Sequence, residues 1–302
     1  MDKPKVIVLL TTFNGEKFLK EQLDSVLNQK DVDVFLKVFD DISKDKTNEI
    51  LENYRKNHKN FDYVINKTNK GFSYNFLDAY FSLKDEQFDY VAFADQDDVW
   101  LDDKLISAIS LIKEKNHPNG CLYCSNLKLV DQDLNDIGLM QNESVLKLNK
   151  YNFLTDNIAT GCTIVVNKAF YDYSTKYYPK DIKLHDYYLF LLAVLNAEYV
   201  YDYSYHILYR QHGHNEIGSN DALMSKSNLK KIKNPKHTTP LIHQQLLAGF
   251  KDDIPSEYLP YVELIANYKQ SFKKKMKLVF SRKIHKRKHN FIFKLLVLFG
   301  KY

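Results

Sequence analysis

The chain has 302 residues, enough for one large α/β domain with appendages or for two small domains. Apolar residues at 44% can fill a core, and 22 Tyr with 19 Phe suit both half-buried packing and stacking on bases or sugar rings. The net charge of +5 is uneven: Leu264 to Tyr302 holds twelve Lys/Arg and no Asp/Glu, so the acidic body lacks the basic stripe that nucleic acid requires.

Lys5 to Leu10 (KVIVLL) is a near-continuous apolar run, the pattern of a strand buried on both faces of a parallel sheet. Thr11-Thr12-Phe13-Asn14-Gly15 breaks it, and a helix pattern follows from about Glu16 to Asn28. A second strand, Val32 to Phe39, ends at Asp40-Asp41; then come a helix over Lys46 to Asn57 and a short strand at Tyr63 to Ile65. Gly71 opens a third helix pattern, and the buried strand Tyr90 to Ala94 ends at Asp95-Gln96-Asp97-Asp98. This alternation predicts a parallel α/β half-domain, whose ligands sit beyond the carboxyl ends of the strands. TTFN, DDIS and DQDD each follow a strand directly, which places them on one rim.

After a helix beyond Leu105, the strand Cys121 to Val130 precedes a polar stretch, Asp131 to Lys150, that reads as loop. A strand at Ile164 to Val166, an apolar helix at Tyr187 to Leu195 and a strand at Tyr199 to Leu208 follow, leading into Tyr209-Arg210-Gln211-His212-Gly213-His214-Asn215. From about Met224 the chain becomes rich in Lys, Asn and Pro, with short helices. Cys121 and Cys124 have C-x-x-C spacing, but no second pair completes a zinc site, and they read as apolar filler in a buried strand. Without a disulfide framework, a signal-peptide core or an apolar run long enough to span a bilayer, the expectation is a cytoplasmic location.

The run Asp95-Gln96-Asp97-Asp98 sets three carboxylates at a strand end, ahead of Trp100. Carboxylates so close repel one another unless solvent or a cation relieves them, and oxygen ligands suit Mg²⁺ or Mn²⁺ held together with substrate phosphates. Gln96 is assigned no role. Asp40 and Asp41 could accept from a base N–H or ribose hydroxyls, with capping of the next helix the simpler alternative. Thr11 and Phe13 stand on the neighbouring strand end. Asp186, beside His185, lies at the start of an apolar helix; there it could cap, or act as a base whose pKa the helix dipole depresses. Arg210 suits bidentate contact with a diphosphate, and a neutral His212 could complete a metal shell.

Together the stretches TTFNGEKFLKEQLDSVLNQ (11–29), FDDISKDKT (39–47), NKGFSYNF (69–76), FADQDDVWLDDKL (93–105), TGCTIVVNK (160–168), HDYYLFLLA (185–193) and YRQHGHN (209–215) resemble the inverting family-2 glycosyltransferases of the GT-A fold. The branch they resemble is the bacterial rhamnosyltransferases of capsular and cell-wall polysaccharide synthesis. The resemblance implies a mixed, mainly parallel sheet flanked by helices, with a catalytic domain over 1–220 divided into a nucleotide-binding half (1–105) and an acceptor-binding half (106–220). It also implies Asp97 as metal ligand with Asp95 and His212 in the shell, and Asp98 near the donor sugar. Thr11, Phe13, Asn14, Asp40, Asp41, Asn69 and Gly71 would line the donor, Arg210 and Gln211 would support their loop, Trp100 and His185 would face the acceptor, and Asp186 would be the base. Ile42 stands where the family usually has Gly, and Asp102 where it often has Pro.

The implied reaction uses Mn²⁺ or Mg²⁺ to move a sugar from a nucleoside-diphosphate donor, dTDP-rhamnose by the subgroup, to a lipid-linked saccharide. A sugar nucleotidyltransferase and a non-catalytic sugar-binding module are the alternatives. The helical extension 221–302, basic from Lys269 onward, either lies on an anionic membrane at the inner face of the plasma membrane or packs on the domain with its basic face solvated.

Overall fold

The structure, a computed structural model, describes residues 2–212, 239–284, 286 and 290–302. Gly213-His214-Asn215, the segment from Met224 to 238 and the domain boundary near residue 220 therefore lie outside the described residues.

Strands β1 (Lys5–Thr12), β2 (Asp33–Asp40), β3 (Phe61–Ile65) and β4 (Tyr90–Ala94) alternate with helices α1 (Leu19–Leu27), α2 (Thr47–Asn57) and α3 (Phe72–Phe81). All four strands run parallel in the order β3-β2-β1-β4. β1 and β4 are buried on both faces from Val6 to Leu10 and from Tyr90 to Ala94, as their unbroken apolar runs require. Helix α1 starts at Leu19, later than its periodicity suggests, because its approach is tied to the next loop: Glu16 N–H donates to Asp45 (3.0 Å), and Lys46 N–H donates to Glu16 (2.8 Å).

The short β5 (Val99–Trp100) and helix α4 (Lys104–Lys113) lead to β6 (Cys121–Val130), β7 (Asp136–Leu139), a one-turn α5 (Lys150–Phe153), β8 (Val165–Asn167), α6 (Lys168–Ser174), α7 (His185–Asn196) and β9 (Glu198–Arg210). The sheet continues β4-β8-β6-β9-β5, with β8 antiparallel to both of its neighbours and β7 hairpinned onto β6. The stretch Asp131 to Lys150 is thus not wholly loop. Asp131 accepts from the N–H groups of Asp133 (2.9 Å) and Asn135 (2.9 Å), which closes a turn that folds β7 back. Cys121 and Cys124 belong to separate clusters on opposite faces of β6, so they share no ligand; both are buried and free.

Helix α7 is buried around its whole circumference. Four further helices, α8 (Thr239–Phe250), α9 (Leu259–Asn267), α10 (Phe272–Val279) and α11 (Asn290–Leu298), join the same core through residues such as Ile242, Val262, Leu278 and Phe293. Among the described residues, no helix is long and apolar enough to cross a membrane.

Candidate active site

The loops after β1, β2 and β3 form one laced rim. Thr12 Oγ1 donates to Asp40 Oδ1 (2.8 Å) and Ser43 N–H to Asp40 Oδ2 (2.9 Å). Asp41 accepts from the N–H groups of Lys70 and Gly71 (each 2.8 Å) and from the Asn66 amide (3.0 Å). Asn69 closes the turn, donating to Asp41 O (3.3 Å) and accepting from Gly71 N–H (3.2 Å). Gly71 takes φ 74°, which glycine allows without strain. Sequence reading sets Asp40 and Asp41 against a base or ribose. Both are buried, with protein donors on their oxygens, so here they shape the rim rather than present open acceptors. Ile42 keeps the left-handed turn at φ 61° although it replaces glycine; hydrogen bonds on both flanks hold a conformation that costs a β-branched residue about 1–2 kcal/mol.

Phe13 stands half exposed at the rim, above the buried Thr11. Gln96 brackets its backbone, accepting from Phe13 N–H (2.9 Å) and donating to Phe13 O (3.2 Å). A Cβ on Gly15 would meet Gln96 Oε1 at 2.4 Å, so this approach needs glycine. Gln96 therefore joins the acidic run to the first loop, a part that sequence reading denied it. No local signal could have found a contact spanning so many positions. Asn14 belongs to the same lacing: its N–H donates to Ser43 Oγ (2.8 Å) and its Oδ1 accepts from Lys44 N–H (2.8 Å).

The acidic run lies at the carboxyl end of β4, as its place in the sequence predicts. Burial first, then the charges of Asp97 and Asp186, push Asp95 up to about 7. Burial and the charges of Asp97 and Asp95 hold Asp98 well above the usual carboxylate range. A crowded carboxylate field of this kind is relieved by a cation. Ligand atoms of Asp95, Asp98 and Cys162 lie within 4.8 Å of one another, but burial pushes the Cys162 thiol up, and a protonated thiol is a poor partner for Mg²⁺ or Mn²⁺. The carboxylate of Asp97 and the imidazole of His212 are chemically better suited to such an ion. His212 Nε2 sits 2.6 Å from Asp97 Oδ2, and both side chains are largely buried.

His212 reaches Asp97 because Arg210 anchors the end of β9. The Arg210 side chain is buried and lies over the Phe18 ring at 4.4 Å. Its Nε donates to Asp97 O (2.9 Å), and its terminal nitrogens meet Gln132 O and the Glu21 carboxylate. Its own N–H donates to Asp98 Oδ1 (3.3 Å). The residue type suggests a bidentate grip on a diphosphate. In this fold the fork faces protein acceptors, among them the backbone of Asp97. Gln211 N–H continues the pairing to Val130 O (2.8 Å). Phe18, just ahead of α1, and Glu21, in its first turn, had no sequence signal marking them as its partners.

Asp186 lies in the first turn of α7, where its Oδ1 accepts from Tyr187 N–H (2.6 Å). The expected depression of its pKa is reversed: burial outweighs the N–H groups of the helix start and raises it to about 6. Its charge contributes to raising Asp95. His185 is buried, stacked on Phe76 at 4.4 Å, and burial lowers it to about 3, leaving a neutral ring whose two nitrogens lack partners among the described residues. Trp100, expected to face an acceptor, is instead core: it is 3% exposed, with Lys104 Nζ 3.4 Å above its ring. Lys104 is itself fully buried, and burial lowers it to about 7.

Comparison with known proteins follows this geometry. The family described as Glycosyl transferase family 2 matches residues 7–175. The dTDP-rhamnosyl transferase RfbG of Shigella flexneri is 30% identical over 235 residues, covering 72% of this chain and 76% of that protein. Among solved structures, S. aureus TarS in complex with UDP-GlcNAc superposes with a TM-score of 0.59 at 20% identity, covering 92% of this chain and 77% of that one. The mannosyltransferase PcManGT from Pyrobaculum calidifontis, in complex with GDP-Man and Mn²⁺, gives 0.56 at 16% identity, covering 89% and 70%. The fold is GT-A: a mixed, mostly parallel sheet flanked by helices, with a helical C-terminal region.

Arg210→Met keeps the stack on Phe18 but strips three acceptors of their donor. Urea unfolding should show a loss of roughly 2–4 kcal/mol.

Proposed function

The chain belongs to glycosyl transferase family 2, and on that basis we propose that it is a metal-dependent inverting enzyme. In this reading it moves a sugar from a nucleoside-diphosphate donor to a hydroxyl of a lipid-linked saccharide, at the inner face of the plasma membrane, in capsular or cell-wall polysaccharide synthesis. That it is a glycosyltransferase follows from the family; the donor is read as dTDP-rhamnose, supported by the likeness to RfbG. The catalytic unit is read as 1–220, with 1–105 taking the nucleotide and 106–220 the acceptor.

What supports the mechanism is a buried carboxylate, Asp186, in the first turn of α7, held up at about 6 by burial and contributing to the raised pKa of Asp95. A base working beside a diphosphate site suits a single displacement. Asp97 and His212 would hold Mn²⁺ or Mg²⁺, with Asp95 beside them; when bound, the ion neutralises the diphosphate and makes the nucleoside diphosphate a better leaving group. Asp98 is read, from the family resemblance, as lying near the donor sugar. Thr11 and the half-exposed Phe13 offer contact and a stacking face to the base, and Asp40, Asp41, Asn14, Asn69 and Gly71 act through the loops they hold. Asp186 takes the proton of the acceptor hydroxyl as that oxygen attacks the anomeric carbon from the face opposite the diphosphate. The glycosidic bond to the diphosphate breaks as the new one forms, and no enzyme nucleophile takes part. Neutral His185 sits beside the base, and Trp100 supports the acceptor side from within the core.

A base must be ionised to work. With Asp186 at about 6, kcat/KM should be level above that pH and fall about tenfold per unit below it. Asp186→Asn should abolish transfer, remove this acid limb from any residual rate and leave donor affinity near that of the parent; retained turnover sinks the assignment. Asp97→Ala should weaken donor binding in Mn²⁺ by more than about tenfold in calorimetry while leaving the metal-free value unmoved. The reading as a whole is tested by a panel of nucleotide sugars that includes dTDP-rhamnose. Metal-dependent release of nucleoside diphosphate is the expected result. Pyrophosphate release would instead mean a nucleotidyltransferase, and no turnover with any donor a binding module.

A further inference from the structure

The C-terminal helices divide their apolar residues between two directions. On α11, Phe293 and Val297 are buried in the main core, as are Leu278 of α10 and the terminal Tyr302. Tyr302 is pinned there by mutual hydrogen bonds with Tyr268: its N–H donates to the Tyr268 hydroxyl (3.0 Å), which donates to Tyr302 O (2.6 Å). The extension therefore packs on the domain. Yet α11 and the residue that follows it carry a second apolar stripe, Phe291, Leu295, Leu298 and Phe299, at i, i+4, i+7 and i+8 spacing, and all four side chains are exposed. Phe272 and Phe280, at the two ends of α10, are exposed as well.

Phe272, Phe280, Phe291 and Phe299 are 68–75% exposed, more than any other large apolar side chain among the described residues. Helices that only needed to cover the core would have no use for a phenylalanine at those positions, and exposed apolar stripes mark contact surfaces. The charge around them identifies the contact. From Leu264 onward the chain holds twelve Lys/Arg and no Asp/Glu, so a second copy pairing through the same face would bring like charge against like. An anionic bilayer offers both what the basic residues attract and what the rings can enter.

We infer that α10 and α11 form a docking surface for an anionic lipid bilayer, with Phe272, Phe280, Phe291 and Phe299 entering the headgroup boundary and the surrounding Lys and Arg meeting lipid phosphates. The inference deepens the reading of a lipid-borne acceptor, since it states how the catalytic domain is held beside such a molecule. The packed extension is the rigid base of the surface, so packing and membrane contact are two faces of the same helices.

Vesicle co-sedimentation tests it with the whole chain and a fourfold variant, Phe272→Ser, Phe280→Ser, Phe291→Ser and Phe299→Ser, which keeps every charge. The parent should bind phosphatidylcholine vesicles containing phosphatidylglycerol and bind pure phosphatidylcholine far less. The variant should lose about tenfold or more in partition to the anionic vesicles, with an unchanged thermal midpoint because no core residue is touched. Equal binding by parent and variant overturns the inference, as does a parent that ignores anionic vesicles. A lipid-free parent dimer that the variant converts to monomer also overturns it, assigning the stripe to a second copy. Nucleoside-diphosphate release toward a soluble acceptor should be the same in both proteins, so a failure on vesicles is separable from a failure of the transferase reading.

Discussion

Four segments far apart in the chain meet at one buried guanidinium. Arg210 ends β9, yet it touches Phe18 and Glu21 at the start of α1, the backbone of Asp97 and Gln132 in the turn that folds β7 onto β6. A buried cation of this kind is tolerated only when its donors are met, and removing it strands their partners. Because the fork is planar, meeting those partners also sets the direction in which the chain leaves β9. His212 is thereby delivered to Asp97. The contact that most resembles a metal site is inherited from a structural clamp two residues earlier.

The rest of the rim is built on the same logic, with carboxylates as acceptors. Asp40 and Asp41 collect donors from the loops after β1, β2 and β3, and they hold Ile42 in a left-handed turn that it would not adopt alone. Satisfied carboxylates shape the rim, while crowded ones, Asp95 and Asp98, are pushed up by burial and by the negative charges around them. Asp186 belongs to neither set. Burial raises it to about 6, where a base is ionised at neutral pH yet still has an affinity for a proton.

Much of this was legible in advance. The apolar runs of β1 and β4 announced strands buried on both faces, and three polar motifs after strands announced a shared rim, because a parallel strand's carboxyl end is a fixed place. The antiparallel insertion of β8 and the hairpin of β7 were less legible. Strand direction depends on where the connections return, and Asp131 closes its turn inside a stretch whose polarity reads as loop. Trp100 shows the limit for side chains: an aromatic beside an acidic run reads as a surface platform, and only the packing of Lys104 over its ring shows it to be core.

The sequence alone determined which residues are candidates for the chemistry, since residue type and strand-end position are local properties: the acidic run, Asp186 at a helix start, the basic extension without a single carboxylate. Tertiary structure decided what each is worth. It gave Gln96 a bracket on Phe13, turned Arg210 inward and raised Asp186 where the helix dipole alone would have lowered it. It also gave the basic extension both a buried and an exposed apolar face. Partners and burial are set by elements distant in the chain, so no spacing within a motif encodes them.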